Sequence, residues 1–398
     1  MATLVVFYLL FMILLALVTG DSLAFTLLYL MGGAFFLSRW WMERAVQSLQ
    51  VERDFPRQAF PGDTLEVRVR VRNPGRLPLL WLRLRDYLPT GIPGSMFDTV
   101  TRLAPRQAQS FRYNLRARRR GYYPIGPLRC SSGDLLGLGD EKALELPVAY
   151  LTVFPSVIPL GELHLPSRAP LGILSHCLPI FEDPSRPIGK RAYRQGDSLR
   201  RIDWKATAAT GKLQVRLFEP SIALDTAIFL DLNKTSYHYR SRADDCELAI
   251  TAAASLAGWI IRHRQAAGLV TNGRDPLTEG GPPHPILPRK GRGQFQHLLG
   301  TLGRVEPVEQ PDQALPELLR EHAAHLGWGA TLVIITGRAD RALFEEFPRL
   351  QRAGLQITLI LIGRATGEAE IRPYATRMGV RLLTLWNEQD LETLQVPL

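Results

Sequence analysis

A chain of 398 residues is too long for one ordinary core, so two or three domains are expected. It is 46% hydrophobic and 22% charged, a globular composition that excludes a low-complexity or fibrous protein. Its formal net charge of +10 suits proximity to anionic lipid, or to nucleic acid, and its three well-separated cysteines, Cys130, Cys177 and Cys246, exclude a disulfide framework or a CxxC metal pair.

In chain order, Ala2 to Val18 is an uninterrupted apolar run and Leu23 to Leu37 a second, separated by Gly20-Asp21-Ser22. With their flanks each approaches the roughly 20 residues that cross a bilayer, and the short turn between them suggests a transmembrane helical hairpin over residues 1–45. Arg39, Arg44 and Arg53 follow the second run, beside Trp40 and Trp41. Positive flanks stay inside, so a membrane protein is expected, with two helices, the bilayer as a partner and the remaining domains facing the cytoplasm. The unpaired cysteines fit that reducing side.

From 46 to 155 the pattern has period two. In Leu65-Glu-Val-Arg-Val-Arg-Val-Arg72 apolar and charged residues alternate, as do Leu80 to Arg85 and Phe111 to Arg118. Breakers at Pro61-Gly62, Asn73-Pro74-Gly75 and Arg120-Gly121 separate the runs, and an immunoglobulin-like β-sandwich is expected. The arginine-rich faces follow from strand geometry. No nucleic-acid motif accompanies them, so no nucleic acid is expected. Residues 156–190, rich in Pro and Gly, read as an interdomain linker.

Residues 191–398 change period. Thr226 to Leu230 is a strand run ending at Asp231. Ser241 to Asp244 resembles a capping box before a helix with Cys246, Ile250, Ala253, Ala257 and Ile260 on one face. Strands are expected at Gly268–Thr271, Thr331–Ile335, Leu355–Ile362 and Val380–Leu385, and helices at Gln294–Leu302, Ala314–Leu326 and Arg341–Ala353. Alternation of this kind predicts an α/β, Rossmann-like domain with a mainly parallel sheet and ligand sites at the carboxyl ends of its strands, where Asp231 falls.

The most distinctive stretch runs from Tyr193 to Arg216. It contains Tyr193, Arg194, Gly196, Asp197, Arg200, Arg201, Asp203, Trp204, Lys205, Thr210 and Gly211. It resembles the signature of the bacterial family catalogued as domain of unknown function 58. Arg119 to Tyr122, Gly133 to Leu138 and the paired apolar runs resemble that family too. The resemblance implies an N-terminal membrane hairpin in a bacterial inner membrane, a β-sandwich and a C-terminal fold like the von Willebrand factor type A domain. Members commonly accompany MoxR-type AAA ATPases, which implies a scaffold or adaptor that binds such an ATPase and its client in envelope or complex assembly.

Type A domains commonly hold a cation on a D-x-S-x-S motif, with a Thr and an Asp from other loops. The corresponding residues here are Asp231, Asn233 and Thr235, which makes Mg²⁺ the candidate ion, although Thr336-Gly337 stands where the second Asp belongs and Lys234 adds a positive charge. The mixed charges around Trp204 admit two readings, an ion-pair network that locks domains together or a docking surface for a partner.

Catalytic signatures are missing. Ala206 to Leu213 only superficially resembles a phosphate loop, and neither G-x-S-x-G nor H-E-x-x-H occurs. His322 and His325 share a helix face without a carboxylate beside them there, and read as solvated. A membrane-associated hydrolase or transferase, and an anionic-lipid or nucleic-acid binder using the basic surface, stay open as alternatives.

Overall fold

The computed structural model describes residues 2–19, 22–89, 91–92, 94, 96–133, 141–160, 182–193, 202–220, 225–363 and 368–392. Its contacts divide into two units, Met1–Ser156 with Leu302–Arg304, and Val157–Thr301 with Val305–Leu398.

The first unit opens with helices α1 (Ala2–Thr19) and α2 (Ser22–Gln47). Among the described residues no helix is long and apolar enough to cross a membrane. The expected transmembrane hairpin over residues 1–45 is therefore corrected, and with it the two-helix inner-membrane location and the cytoplasmic orientation read from its flanks. The 18 residues of α1 rise about 27 Å, short of a hydrocarbon core of roughly 30 Å. The second helix does not stop at Leu37. It continues through Arg39, Glu43 and Arg44, and its last turns bury Met42, Ala45 and Val46 in the core of the β unit. Trp41 donates from Nε1 to the Pro78 carbonyl at 3.1 Å, which ties the helix end to that unit.

Ten strands follow: β1 (Gln50–Asp54), β2 (Gln58–Ala59), β3 (Thr64–Arg72), β4 (Leu79–Asp86), β5 (Phe97–Leu103), β6 (Ala108–Arg116), β7 (Gly121–Ile125), β8 (Leu128–Ser132), β9 (Lys142–Leu146) and β10 (Ala149–Val153). They form three sheets, ordered β1-β3-β6, β5-β4-β8-β9 and β2-β10-β7, where a two-sheet sandwich was the expectation. The short strands β2, β7 and β10 pair among themselves instead of extending either larger sheet. One apolar cluster lies within. Leu65, Val67, Val69 and Val71 of β3 point into it, while Glu66 and Arg68 to Arg72 alternate outward. The core also holds a polar knot. Arg53 Nη1 reaches Asp86 Oδ1 at 2.8 Å, Tyr113 donates its hydroxyl to Asp86 Oδ2 at 2.6 Å, and Arg53 Nη2 donates to the Pro147 carbonyl at 3.0 Å. A buried ion pair is tolerable when its remaining donors and acceptors are satisfied in this way.

The second unit contains β11 (Glu182–Ala192), α3 (Trp204–Thr210), β12 (Gln214–Pro220), β13 (Asp225–Leu230), α4 (Arg242–Arg262), β14 (Ala266–Thr271), β15 (Ile286–Arg289), all but the last three residues of α5 (Arg292–Arg304), α6 (Leu315–His322), β16 (Thr331–Thr336), α7 (Arg341–Arg352), β17 (Gln356–Ile362), α8 (Glu368–Arg377), β18 (Arg381–Leu385) and α9 (Glu388–Glu392). Six strands make one sheet, ordered β15-β14-β13-β16-β17-β18, parallel except at the β15 edge. The sequence order reverses beside β13, the first of these strands, which is the switch point where such sheets open a crevice at their carboxyl ends. Helix α4 starts after Ser241, whose hydroxyl donates to Asp245 Oδ2 at 2.7 Å and does not cap the backbone as the Ser241–Asp244 pattern suggested. Cys246 lies fully buried on its inner face. β11 and β12 form a separate antiparallel ribbon, and β11 occupies the end of the stretch that reads as linker.

Candidate functional site

Two polar constellations stand out in the second unit. The first is at the sheet's switch point, where β13 ends. Asp231, only 3% exposed, directs its carboxylate between the ends of both neighbouring strands. Oδ1 accepts from the Asn233 N–H at 3.0 Å and from Asn272 Nδ2, just beyond β14, at 2.9 Å. Oδ2 accepts from the Thr336 hydroxyl, at the end of β16, at 2.9 Å. Asn272 also accepts the Leu232 N–H at 2.7 Å, so one buried amide braces both the carboxylate and the turn that follows it. The phenol of Tyr237 donates to the Asp231 carbonyl. Burial, then the nearby Asp231 charge, pushes that phenol well above its ordinary pKa, which keeps it a neutral donor.

The other two residues of the motif face each other. Asn233 Oδ1 accepts from the Thr235 N–H at 3.0 Å and from the Thr235 hydroxyl at 2.8 Å, capping the short turn Lys234–Ser236. A magnesium ion needs about six oxygens in octahedral array. Here both oxygens of the single carboxylate meet N–H or O–H donors, and the Asn233 oxygen is spent within its own turn. Among the described residues no three His, Cys, Asp or Glu side chains assemble a metal cluster. The residues present do not fit the cation that Asp231, Asn233 and Thr235 suggested. What they build is a rigid polar clasp across three strand ends.

The second constellation is the signature stretch. Its first part, with Arg194, Gly196, Asp197, Arg200 and Arg201, lies outside the described residues. The remainder forms a ribbon and helix. Tyr193 donates its N–H to the Leu213 carbonyl at 2.9 Å, and Ile202 bridges to Val215. Asp203 is buried and organises the module. Its Oδ1 caps α3 by accepting from the Ala206 N–H at 3.1 Å, while Oδ2 meets Lys190 Nζ of β11 at 2.9 Å and Arg216 Nε of β12 at 3.2 Å. Lys190, the Ala206 N–H and Arg216 together hold its carboxyl far below the usual carboxylate range. Gly211 closes the helix in the left-handed region at φ 69°, donating to the Thr207 carbonyl at 2.9 Å, and a side chain there would be strained. Thr210 turns its hydroxyl back to the Ala206 carbonyl at 2.9 Å. Of this network only Asp203 is buried; Lys190 and Arg216 reach it from the surface, Trp204 is 69% exposed and Lys205 lies beside it on the surface.

Sequence reasoning did not find Asn272 or Tyr237, or Lys190 as the partner of Asp203. Asn272 carried one signal, a polar residue directly after the apolar run of β14 in a sheet whose strand ends converge. His322 and His325 line a cavity of about 280 Å³ with Ala227, Phe229, Val270 and Ile286; His325 is exposed, as expected, while His322 is half-buried.

Comparisons with known proteins return limited likeness. A fragment of native alpha-2-macroglobulin from Escherichia coli aligns at 17% identity over 28% of this chain, with a TM-score of 0.22, and the chain spans 17% of that structure's length. Proximal thread matrix protein 1 from the mussel byssus aligns at 13% identity over 44% of this chain and 46% of its own, with a TM-score of 0.31. At such scores neither carries an argument. The uncharacterized protein YeaD of Bacillus subtilis (strain 168) is 24% identical over 359 residues, 81% of this chain and 85% of that protein. Residues 189–340, which hold the whole Tyr193–Arg216 stretch and the Asp231 clasp, match the family model described as protein of unknown function DUF58.

Proposed function

We propose that this chain is a scaffold that binds protein partners through the loops at the carboxyl ends of its parallel sheet and through the exposed face of α3. The partner class that the family resemblance suggests is an AAA ATPase of the MoxR type together with its client, and the second unit is read as type A-like on the same ground. The observation that carries the proposal is the contrast at the switch point. The buried polar groups there are satisfied by one another, while large side chains elsewhere along the carboxyl edge of the sheet face outward. Tyr239, in the loop after β13, is 78% exposed with the Arg242 guanidinium 5.1 Å from its ring centre, and Trp386, directly after β18, is 52% exposed. Both follow parallel strands, so they lie at the same edge of the sheet. Trp, Tyr and Arg are the side chains that most often anchor protein interfaces.

The test is affinity capture of the full chain from its own cell extract, beside the variants Tyr239→Ala, Trp386→Ala and Trp204→Ala. Enrichment of an ATPase that weakens in these variants while their thermal midpoints hold supports the proposal. Capture of no ATPase, or capture indifferent to all three substitutions, sinks it.

A further inference from the structure

The β1-β3-β6 sheet of the first unit turns one face into the apolar core and leaves the other open to solvent. On that open face the central strand presents Arg68, Arg70 and Arg72, and β6 adds Arg112 and Arg116. The register places Arg68 opposite Arg112, a like-charged cross-strand pair that is unfavourable unless an anion lies between. Glu66 partly fills that role, 2.5 Å from Arg68 and 3.8 Å from Arg112. Glu52 and Asp54 of β1 stand in register with Arg70 and Arg68. Among the described residues no ion pair forms at Arg70, Arg72 or Arg116, so five guanidiniums share three carboxylates and only one of those is engaged.

Side chains on one face of a strand repeat about every 6.8 Å, and neighbouring strands lie about 4.8 Å apart. An extended peptide carries alternate side chains at the same repeat, so carboxylates two residues apart match Arg68, Arg70 and Arg72 in step. Single-stranded nucleic acid fits less well, because its binding leans on aromatic platforms. The exposed positions between the arginines are instead Thr64, Ala108, Ser110 and Asn114.

We infer that the open face of this sheet binds an extended acidic segment of a partner protein, seating two alternate Asp or Glu carboxylates on Arg70 and Arg72 and a third, three two-residue repeats further along, on Arg116, which the register sets beside Thr64. The surface lies in the first unit and stands independently of the strand-end loops.

The experiment is fluorescence anisotropy on the full chain with a short labelled peptide alternating Glu and Ser, and with its Gln-Ser counterpart. The expected result is saturable binding of the Glu peptide alone. It weakens about tenfold in the triple variant Arg70→Gln, Arg72→Gln, Arg116→Gln, as three lost surface ion pairs imply. A charge-matched control, Arg289→Gln, Arg352→Gln, Arg377→Gln, should keep wild-type affinity. All six positions are exposed, and unchanged melting curves show that both triple variants fold. Equal loss in the two triple variants would reduce the effect to net charge and overturn the inference. So would tighter binding of a duplex oligonucleotide than of the peptide, or no binding of the peptide at all.

Discussion

Replacing Asn272 with alanine tests the reading of the switch point as a self-satisfied clasp. The side chain is buried and makes two bonds, donating to Asp231 Oδ1 at 2.9 Å and accepting the Leu232 N–H at 2.7 Å. Truncation removes a hydrogen bond to a charged acceptor, about 1.5–3 kcal/mol, and orphans a buried backbone donor, about 1–3 kcal/mol. Water entering the space left behind recovers part of this, so a net loss of about 3 kcal/mol is expected. For a unit of this size that lowers the thermal midpoint by about 6–12 °C, measured by calorimetry or by urea denaturation followed through tryptophan fluorescence. The companion variant Asp231→Asn sharpens the test. Its new amide can donate to Thr336 Oγ1, whose own proton then passes to the Arg338 carbonyl 3.1 Å away, while the remaining oxygen keeps its bonds to Asn233 and Asn272. Its cost should therefore stay below about 1 kcal/mol. A cation-centred site predicts the reverse order, together with a midpoint that rises with millimolar Mg²⁺ and stops rising in Asp231→Asn. Either result would refute the clasp.

Three further outcomes follow from other parts of the molecule. Tyr113→Phe removes the hydroxyl that donates to the buried Asp86 and should destabilise the first unit by about 1.5–3 kcal/mol in urea titrations. Because the folded Asp203 carboxyl is held below its unfolded value, its contribution is complete above an ordinary Asp pKa of about 3.9 and fades as pH falls through the depressed folded value. Amide exchange in residues 204–210 should accelerate over that acid range in the wild type and show no such step in Asp203→Asn. Burial pushes the thiols of Cys130 and Cys246 up to about 12, so a Cys177→Ser chain should react with a thiol reagent at neutral pH only after denaturant is added.

The elements most legible in the sequence were those with the simplest period. The alternation from Leu65 to Arg72 coincides with β3, and the apolar runs at 226–230, 268–271, 331–335 and 355–362 fall on β13, β14, β16 and β17. The edge strand β15 (Ile286–Arg289) was missed because its four residues include Pro288, a residue that only an edge tolerates. The end of the second N-terminal helix was misread because hydropathy ignores tertiary burial. Met42, Ala45 and Val46 sit among charged residues in sequence, yet they pack into the β core and continue α2 well past its apolar run. At the switch point the sequence marked Asp231 by its place after a strand. Its partners Asn272 and Thr336 lie 41 and 105 residues away, and only strand register brings them together. In the signature, the spacing of charges showed that some network exists. It did not show that Asp203 would be the buried member and Trp204 an exposed one.

Asp86 and Asp231 are both buried carboxylates, and the chemistry of their partners separates them. Asp86 answers a cation: Arg53 is nearly as buried, with a side chain 3% exposed against 0% for the acid. Asp231 answers only neutral dipoles, two N–H groups and one hydroxyl. Neutralising each therefore has different consequences. Asp86→Asn leaves a buried guanidinium without its counter-charge, and the cost should be about 3–5 kcal/mol. Asp231→Asn leaves no cation behind and relieves the penalty of keeping a charge out of water. A double variant of Arg53→Met with Asp86→Asn should recover part of the Asp86 loss, because the stranded cation is gone, whereas no second substitution is needed at Asp231. If the two single variants cost the same, the distinction between a paired charge and a dipole-held charge does not govern this protein, and the neutral clasp at the switch point loses its physical basis.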